Sequence, residues 1–201
     1  MKTIRFISVV CLLFALLSCG SNIYLNKTYK FNNKSDFKLA IIPFYGELPA
    51  PTDTAFTLIF ADSVGAQKLI SPSSIRSKID SDNQLKDIIQ KICMKGYTKE
   101  EQSKEINIKD LIAEDGLTYL REACGNADVC LFPIRFFVGA SMGRLVGATQ
   151  YRLYDLHSGI LIYDVNESLN TELGHPDVDK QMVLTMIGLS YGDYEKHFLR
   201  K

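Results

Sequence analysis

The sequence predicts an α/β (α+β) fold: a mixed sheet of about five strands in the order β-α-β-α-α-β-β-β-α, with helices packed on the sheet. Three observations carry this expectation. The run "FKLAIIPFYG", closed by Pro43 and Gly46, is continuously apolar, as a strand buried on both faces must be. Residues 71–125 place apolar side chains three and four apart, the spacing of helices with one buried face. From residue 128 the pattern turns β-rich and then alternates through three successive segments, which reads as an antiparallel meander.

The chain opens with Lys2 and Arg5, and Phe6 to Leu17 is apolar except for Ser8. Crossing a bilayer core takes roughly 20 apolar residues, so this run is short, and its basic start and small-residue end describe a secretory signal peptide. Its last four residues, Leu16-Leu17-Ser18-Cys19, resemble the bacterial lipobox. That resemblance implies a thiol at Cys19 carrying diacylglycerol, cleavage before it, and N-acylation of the new terminus. Each buried methylene contributes about 0.8 kcal/mol, and stable attachment takes more than one chain. An ordinary signal peptide with a coincidental cysteine, or an uncleaved anchor, is the alternative. Gly20-Ser21 lacks the Asp that in some bacteria signals inner-membrane retention, so the expected location is the outer membrane, lipid-anchored, on its periplasmic face.

Residues 20–36, "GSNIYLNKTYKFNNKSD", are polar and rich in Asn, and read as a tether. Such a coil reaches about 20–25 Å when relaxed. The expected organisation is therefore a lipoprotein signal peptide over 1–18, a lipidated tether over 19–36, and a single α/β periplasmic domain over 37–201. After the first strand, "TAFTLIFADSVGAQ" has the length of a helix, with Thr52, Asp53 or Thr54 available as its cap. "QKLISPSS" reads as a short strand, and Ser71-Pro72 as a helix start with a Ser cap and Pro at the first helical position. Ile75 and Ile79 then share one face, as do Leu85, Ile88, Ile89 and Ile92. Gly96 closes this part, "TKEE" at 98–101 has the form of a capping box, and Ile108, Leu111, Ile112, Leu117, Leu120 and Ala123 continue the helical period to Gly125. "DVCLFPIRFFVGA", "RLVGATQYRLYDL" and "GILIYDVNESLN" supply the meander, with "DLHSG" as the turn between the last two. The tail carries apolar residues at 178, 182, 183, 186, 187, 191, 194 and 198, one stripe of a helix begun by Pro176.

Charge and cysteines narrow the function classes. Of 23 basic and 23 acidic residues, the signal peptide removes Lys2 and Arg5, leaving a mature net charge of −2 and no electrostatic reason to expect nucleic acid. Cys93, Cys124 and Cys130 remain after Cys11 and Cys19, an odd number that cannot all pair within the chain. A Cys124–Cys130 bridge and buried free thiols both stay open. No catalytic, metal or cofactor assignment emerges. Asp155, His157 and Ser158 are neighbours in one tight turn, where a nucleophile and its base seldom meet and where Asp and Ser serve the turn itself. His175, Asp177 and Asp179 form a metal-like "HPDVD", which a helix start explains through capping and the dipole. "GASMGRLVG" is followed by strand rather than helix, so it reads as a hairpin and not a phosphate loop. Met142 and Arg144 at that hairpin, and Met186 and Tyr191 on the tail stripe, are the candidate partner-binding residues.

"KLAIIPF" followed by a helix and "KLISPSSI", then "LREACGNADVCLFPIRFF" and "YRLYDLHSGILIYD", resembles a group of bacterial envelope lipoproteins over residues 37–170. The group includes penicillin-binding-protein activators and the curli-secretion lipoprotein, and the N-terminal domain of the periplasmic protein of the Tol system shares the plan. The resemblance implies a non-enzymatic domain that binds another cell-envelope protein, with the covalent diacylglycerol and N-acyl lipid on Cys19 in place of any cofactor. Membership of an oligomeric secretion or pore complex, as a possible homo-oligomer, is the alternative; a small-ligand-binding lipoprotein is a further one. The chain departs from the group in its short tether without Pro, and in offering only Arg135–Asp155 as a long hairpin.

Overall fold

The computed structural model describes residues 21–30, 37–44, 57, 68–95, 104–141 and 144–172. Strands run over Ser21–Leu25 (β1), Leu39–Ile41 (β2), Leu69–Ile70 (β3), Val129–Ser141 (β4), Arg144–Asp155 (β5) and Leu161–Glu172 (β6). They form one mixed sheet of six strands in the order β1-β6-β5-β4-β2-β3. β2 lies parallel to both β3 and β4, while β4, β5, β6 and β1 are successively antiparallel. Among the described residues three helices, Pro72–Ser81 (α1), Asn83–Met94 (α2) and Lys109–Ala123 (α3), lie between β3 and β4 in the chain.

The α/β class is as the sequence predicts, but the sheet has a sixth strand, and it comes from the stretch expected to be a tether. β1 pairs Ser21 with Glu167 and Leu25 with Tyr163. Tyr24 and Leu25, adjacent in sequence, pack against opposite faces of the sheet, as alternation in a strand requires. The chain after β1 is fastened too: Asn26 Oδ1 accepts from the Thr28 hydroxyl at 2.7 Å and from the amides of Thr28 and Tyr29. A free coil would leave these groups to water. Here Asn26 is buried, and its amide donates to Ile162 O at 2.9 Å.

Both faces of the sheet are buried, which explains the unbroken apolar run at β2. Ala40, Cys130, Phe132 and Tyr154 face the helices, meeting Ile75 and Ile79 of α1, Leu85, Ile88, Ile89 and Ile92 of α2, and Leu117 and Leu120 of α3. Leu39, Ile41, Val129, Leu131, Tyr151, Leu153, Tyr163 and Val165 form the core of the other face. Each such side chain contributes roughly 1.5–3 kcal/mol on burial. A bulge falls between Pro133 and Arg135, where Pro has no N–H to give the ladder.

Helix ends follow local chemistry with one departure from expectation. α1 starts at Pro72, yet the Ser71 hydroxyl bonds Ser73 Oγ at 2.9 Å instead of capping the helix. α2 is capped by Asp82, whose Oδ1 accepts from Gln84 N and Leu85 N, each at 3.0 Å. The Tyr119 hydroxyl of α3 donates to the same carboxylate, tying two helices together. That hydroxyl first, and the Leu85 amide next, hold the Asp82 carboxyl below its ordinary range. α3 breaks at Ala113, whose φ of 60° and ψ of 177° divide a first turn from the longer remainder. The stretches 98–101 and 176–198, and all of 54–67 except Thr57, lie outside the described residues.

Candidate functional site

The sheet has two unlike ends. At one end β4, β5 and β6 continue together as an arm. Ser21, the first residue of β1, stands opposite Glu167, which faces Thr149, which faces Phe136. Five further rows follow, from Phe137–Ala148–Ser168 to Ser141–Arg144–Glu172. At about 3.4 Å per residue they extend about 17 Å past the row of Ser21. Among the described residues, β4 beyond Leu131 and β6 beyond Glu167 each have a strand neighbour on one side only. Within the five rows the sequences are "FVGAS", "RLVGA" and "SLNTE", and Arg144 and Glu172, register partners in the last row, are the only charged residues.

At the arm's base lies a polar group inside the core. Arg152 and Asp164 are directly opposite in the β5–β6 register, both almost fully buried, with Arg152 Nε at 3.3 Å from Asp164 Oδ2. Arg152 Nη1 donates to Lys95 O at 2.6 Å and to Ile92 O at 3.4 Å, serving carbonyls at the end of α2 that have no helical partner. Gln150 Nε2 donates to Asp164 Oδ1 at 3.4 Å. The arrangement clamps α2 to the sheet.

The opposite end is charged and closely stitched. Asp155 Oδ1 accepts from the amides of His157 at 2.9 Å and Ser158 at 2.6 Å and from the Ser158 hydroxyl at 2.9 Å, while Oδ2 accepts from the Tyr29 hydroxyl at 2.5 Å. Burial pushes the Asp155 carboxyl up, but these donors outweigh it and hold the group below its ordinary range. His157 Nε2 lies 2.9 Å from Asp128 Oδ1, and Lys38 N donates to Asp128 Oδ2 at 2.8 Å. Ser158 therefore gives its hydroxyl to Asp155, and His157 turns to Asp128, so serine and imidazole are not arranged as nucleophile and base. Gly159, at φ 81°, completes the turn against Asn107, whose Nδ2 donates to Ser158 O at 3.0 Å.

Of the sequence-derived candidates, Arg144 begins β5 at the arm's last row, opposite Ser141 and Glu172. Cys19, Met142, His175, Asp177, Asp179, Met186 and Tyr191 lie outside the described residues. Cys93, Cys124 and Cys130 are free thiols, the last two fully buried on the helix side. Burial pushes the Cys93 thiol up to about 12, against the pull of the Arg152 charge. Among the described residues, no three His, Cys, Asp or Glu side chains are grouped to hold a metal ion, and no helix is long and apolar enough to cross a membrane. An open cleft of about 360 Å³ lies between α1 and the end of α3, where Lys78 Nζ is already committed to Ala123 O at 2.8 Å. Sequence reasoning missed β1, the Arg152–Asp164 pair and the Asp128–His157 contact. Only β1 left a local trace, the Ile23-Tyr24-Leu25 step between Asn22 and Asn26.

No family model matches the sequence, and no curated protein matches it. Among solved structures the chain is similar to the PelC dodecamer from Paraburkholderia phytofirmans at 11% identity, covering 91% of this chain and 99% of that one with a TM-score of 0.49. It is also similar to a lipoprotein from Neisseria meningitidis at 11% identity, covering 79% of this chain and 99% of that one with a TM-score of 0.40.

Proposed function

We propose that this chain is a bacterial lipoprotein, acylated at Cys19 and held on the periplasmic face of the outer membrane, that works without catalysis by binding another cell-envelope protein. The observation that carries the reading is a lipobox ending at Cys19, two residues before a strand of the folded sheet. A signal peptide cut at Cys19 leaves an acylated terminus directly on the domain, which suits a body that acts at a membrane surface. The Asp155–His157–Ser158 turn supports a non-enzymatic role, since its polar groups are spent on the turn, on Tyr29 and on Asp128. Met186 and Tyr191 on the tail stripe, and Met142 and Arg144 at the hairpin, are the contact candidates.

The test is mass spectrometry of the protein purified from membranes, followed by crosslinking of the native lipidated form in cells. The expected product begins at Cys19 with diacylglycerol and N-acyl mass added, and captures one envelope protein reproducibly. An unmodified Cys19 in soluble protein refutes the anchor, and an acylated protein that captures nothing above background refutes the accessory role. A second reading, a subunit of an oligomeric secretion complex, is favoured by the arm, whose outer strands each have a neighbour on one side only among the described residues, because unpaired strand edges recruit further strands. A ring-sized mass in detergent supports it, and a monomer removes it.

A further inference from the structure

We infer that the β4–β5–β6 arm is the bilayer-facing end of the molecule and that its last rows enter the lipid headgroup region. The inference rests on the acylation of Cys19 proposed above and adds an orientation to it. Cys19 stands two residues before Ser21, so the acylated residue lies within about 7 Å of the first residue of β1, whatever path the two residues take. β1 runs antiparallel to β6, so the chain traced back from Leu25 to Ser21 travels in the direction in which β6 runs out to Glu172. The anchor and the arm therefore leave the sheet toward the same end, and the Asp155–Gly159 turn marks the other.

Distances and charge then agree on which end meets lipid. With the arm upright, its tip lies about 17 Å past the Ser21 row and the anchor at most about 7 Å past it, so the tip reaches at least about 10 Å beyond the acylated residue. Interfacial protein segments bury about 5–10 Å into the headgroup and acyl boundary. A sheet that leans over lays the same rows along the surface. The five rows carry two charges, Arg144 and Glu172, opposite each other at the tip where headgroups and water reach them. The other end presents Lys38, Asp128, Asp155 and His157, and burying it in lipid would cost the desolvation of these groups, the half-exposed His157–Asp128 pair among them. A bilayer contact at the tip takes the hairpin, and Arg144 with it, out of the set of protein-contact candidates.

The chain contains no Trp, so single-Trp variants report position without background. The full-length protein, purified in its lipidated form as Ser141→Trp, Ser168→Trp or Glu122→Trp, is reconstituted into vesicles of phosphatidylethanolamine and phosphatidylglycerol carrying brominated acyl chains. Floatation and the mass of Cys19 are measured on the same samples. The expected result is graded: Ser141→Trp at the tip loses most of its emission, Ser168→Trp one row past β1 loses less, and Glu122→Trp near the opposite end keeps its emission. Ser168→Trp against Glu122→Trp gives the same reading should Ser141→Trp fail to fold. Acylated protein that floats yet shows equal quenching at all positions, or strongest quenching at Glu122→Trp, overturns the orientation alone. A tip Trp shielded from both brominated lipid and aqueous iodide overturns it in favour of a second protein copy at the arm. Protein that neither floats nor carries lipid on Cys19 overturns the anchor, and the orientation falls with it.

Discussion

Replacing Arg152 by Met tests whether the α2–sheet clamp is held by charge. The substitution keeps the side-chain stem beside α2 but removes the guanidinium from Asp164 Oδ2 at 3.3 Å and from the Lys95 and Ile92 carbonyls. The Asp164 carboxylate, 4% exposed, is then left with the Gln150 amide at 3.4 Å. Breaking a buried ion pair by removing one partner costs about 3–5 kcal/mol, and the lost bond to Lys95 O adds about 1 kcal/mol. The expected loss of about 4–6 kcal/mol is comparable to the whole stability of a marginal domain. The double variant Arg152→Met with Asp164→Leu removes both charges at one register position, so most of the loss returns and about 1–2 kcal/mol remains for the carbonyls at the end of α2. Urea unfolding of the purified full-length protein at pH 7 reads both variants. With a slope of about 2 kcal/mol/M, the single variant's midpoint falls by about 2–3 M. A single variant within about 1 kcal/mol of the parent, or a double variant no better than the single, would refute the charge-clamp account.

Three further expectations concern the turn end and the thiols. Asp155 has a lowered folded-state value, so its contribution is complete above the unfolded value near about 3.9 and is lost as pH falls through the folded one. Asp155→Asn should therefore flatten the stability profile between about pH 5 and 2 while costing about 1 kcal/mol at pH 7, and an unchanged acid limb in denaturant titrations would count against the assignment. Gly159→Ala places a methyl 2.3 Å from Asn107 Oδ1 at a φ of 81°, so a loss of about 2 kcal/mol or more is expected in thermal or urea unfolding, and a neutral variant contradicts the turn geometry. Cys93, with its thiol raised to about 12, and the buried Cys124 and Cys130 should resist an aromatic disulfide reagent at pH 8 until the protein is unfolded, when all three react. Reaction of Cys93 alone after unfolding would instead show a Cys124–Cys130 bridge.

The legible parts of the fold are those in which burial imposes a period on the sequence. β2 shows a continuous apolar run because Leu39 and Ile41 enter one core and Ala40 the other. α2 shows its stripe because Leu85, Ile88, Ile89 and Ile92 meet a single face. Among the described residues β1 has one strand neighbour, and Tyr24 and Leu25 are half-buried, so its three-residue run Ile23-Tyr24-Leu25 is short against the surrounding Asn and Lys, and composition alone reads as coil. Arg152 was invisible for a different reason. A polar residue in an alternating strand reads as solvent-facing, and nothing within "YRLYDL" announces carbonyls 57 and 60 residues away that need a donor. The Ser71-Pro72 pattern located the start of α1 correctly while misplacing the hydroxyl, since Ser73 competes for it at 2.9 Å.

The candidate site was less legible than the fold because it depends on register, and register is absent from composition. Read as a tether, residues 20–36 would let the domain turn freely within about 20–25 Å of its anchor, and neither end would be distinguished. Pairing Ser21 with Glu167 removes that freedom: under the proposed acylation of Cys19 only two residues would stand between lipid and sheet, and the residues after β1 are bonded onward through Asn26 and Tyr29 as far as Asp155. The domain is thus fastened along one edge, from the row of Ser21 to the charged turn. With Cys19 acylated as proposed, a partner protein would approach a body whose orientation is already set by lipid. The cost of orienting the two molecules would then be lowered before they meet, which is what a short anchor contributes to a contact at a membrane surface.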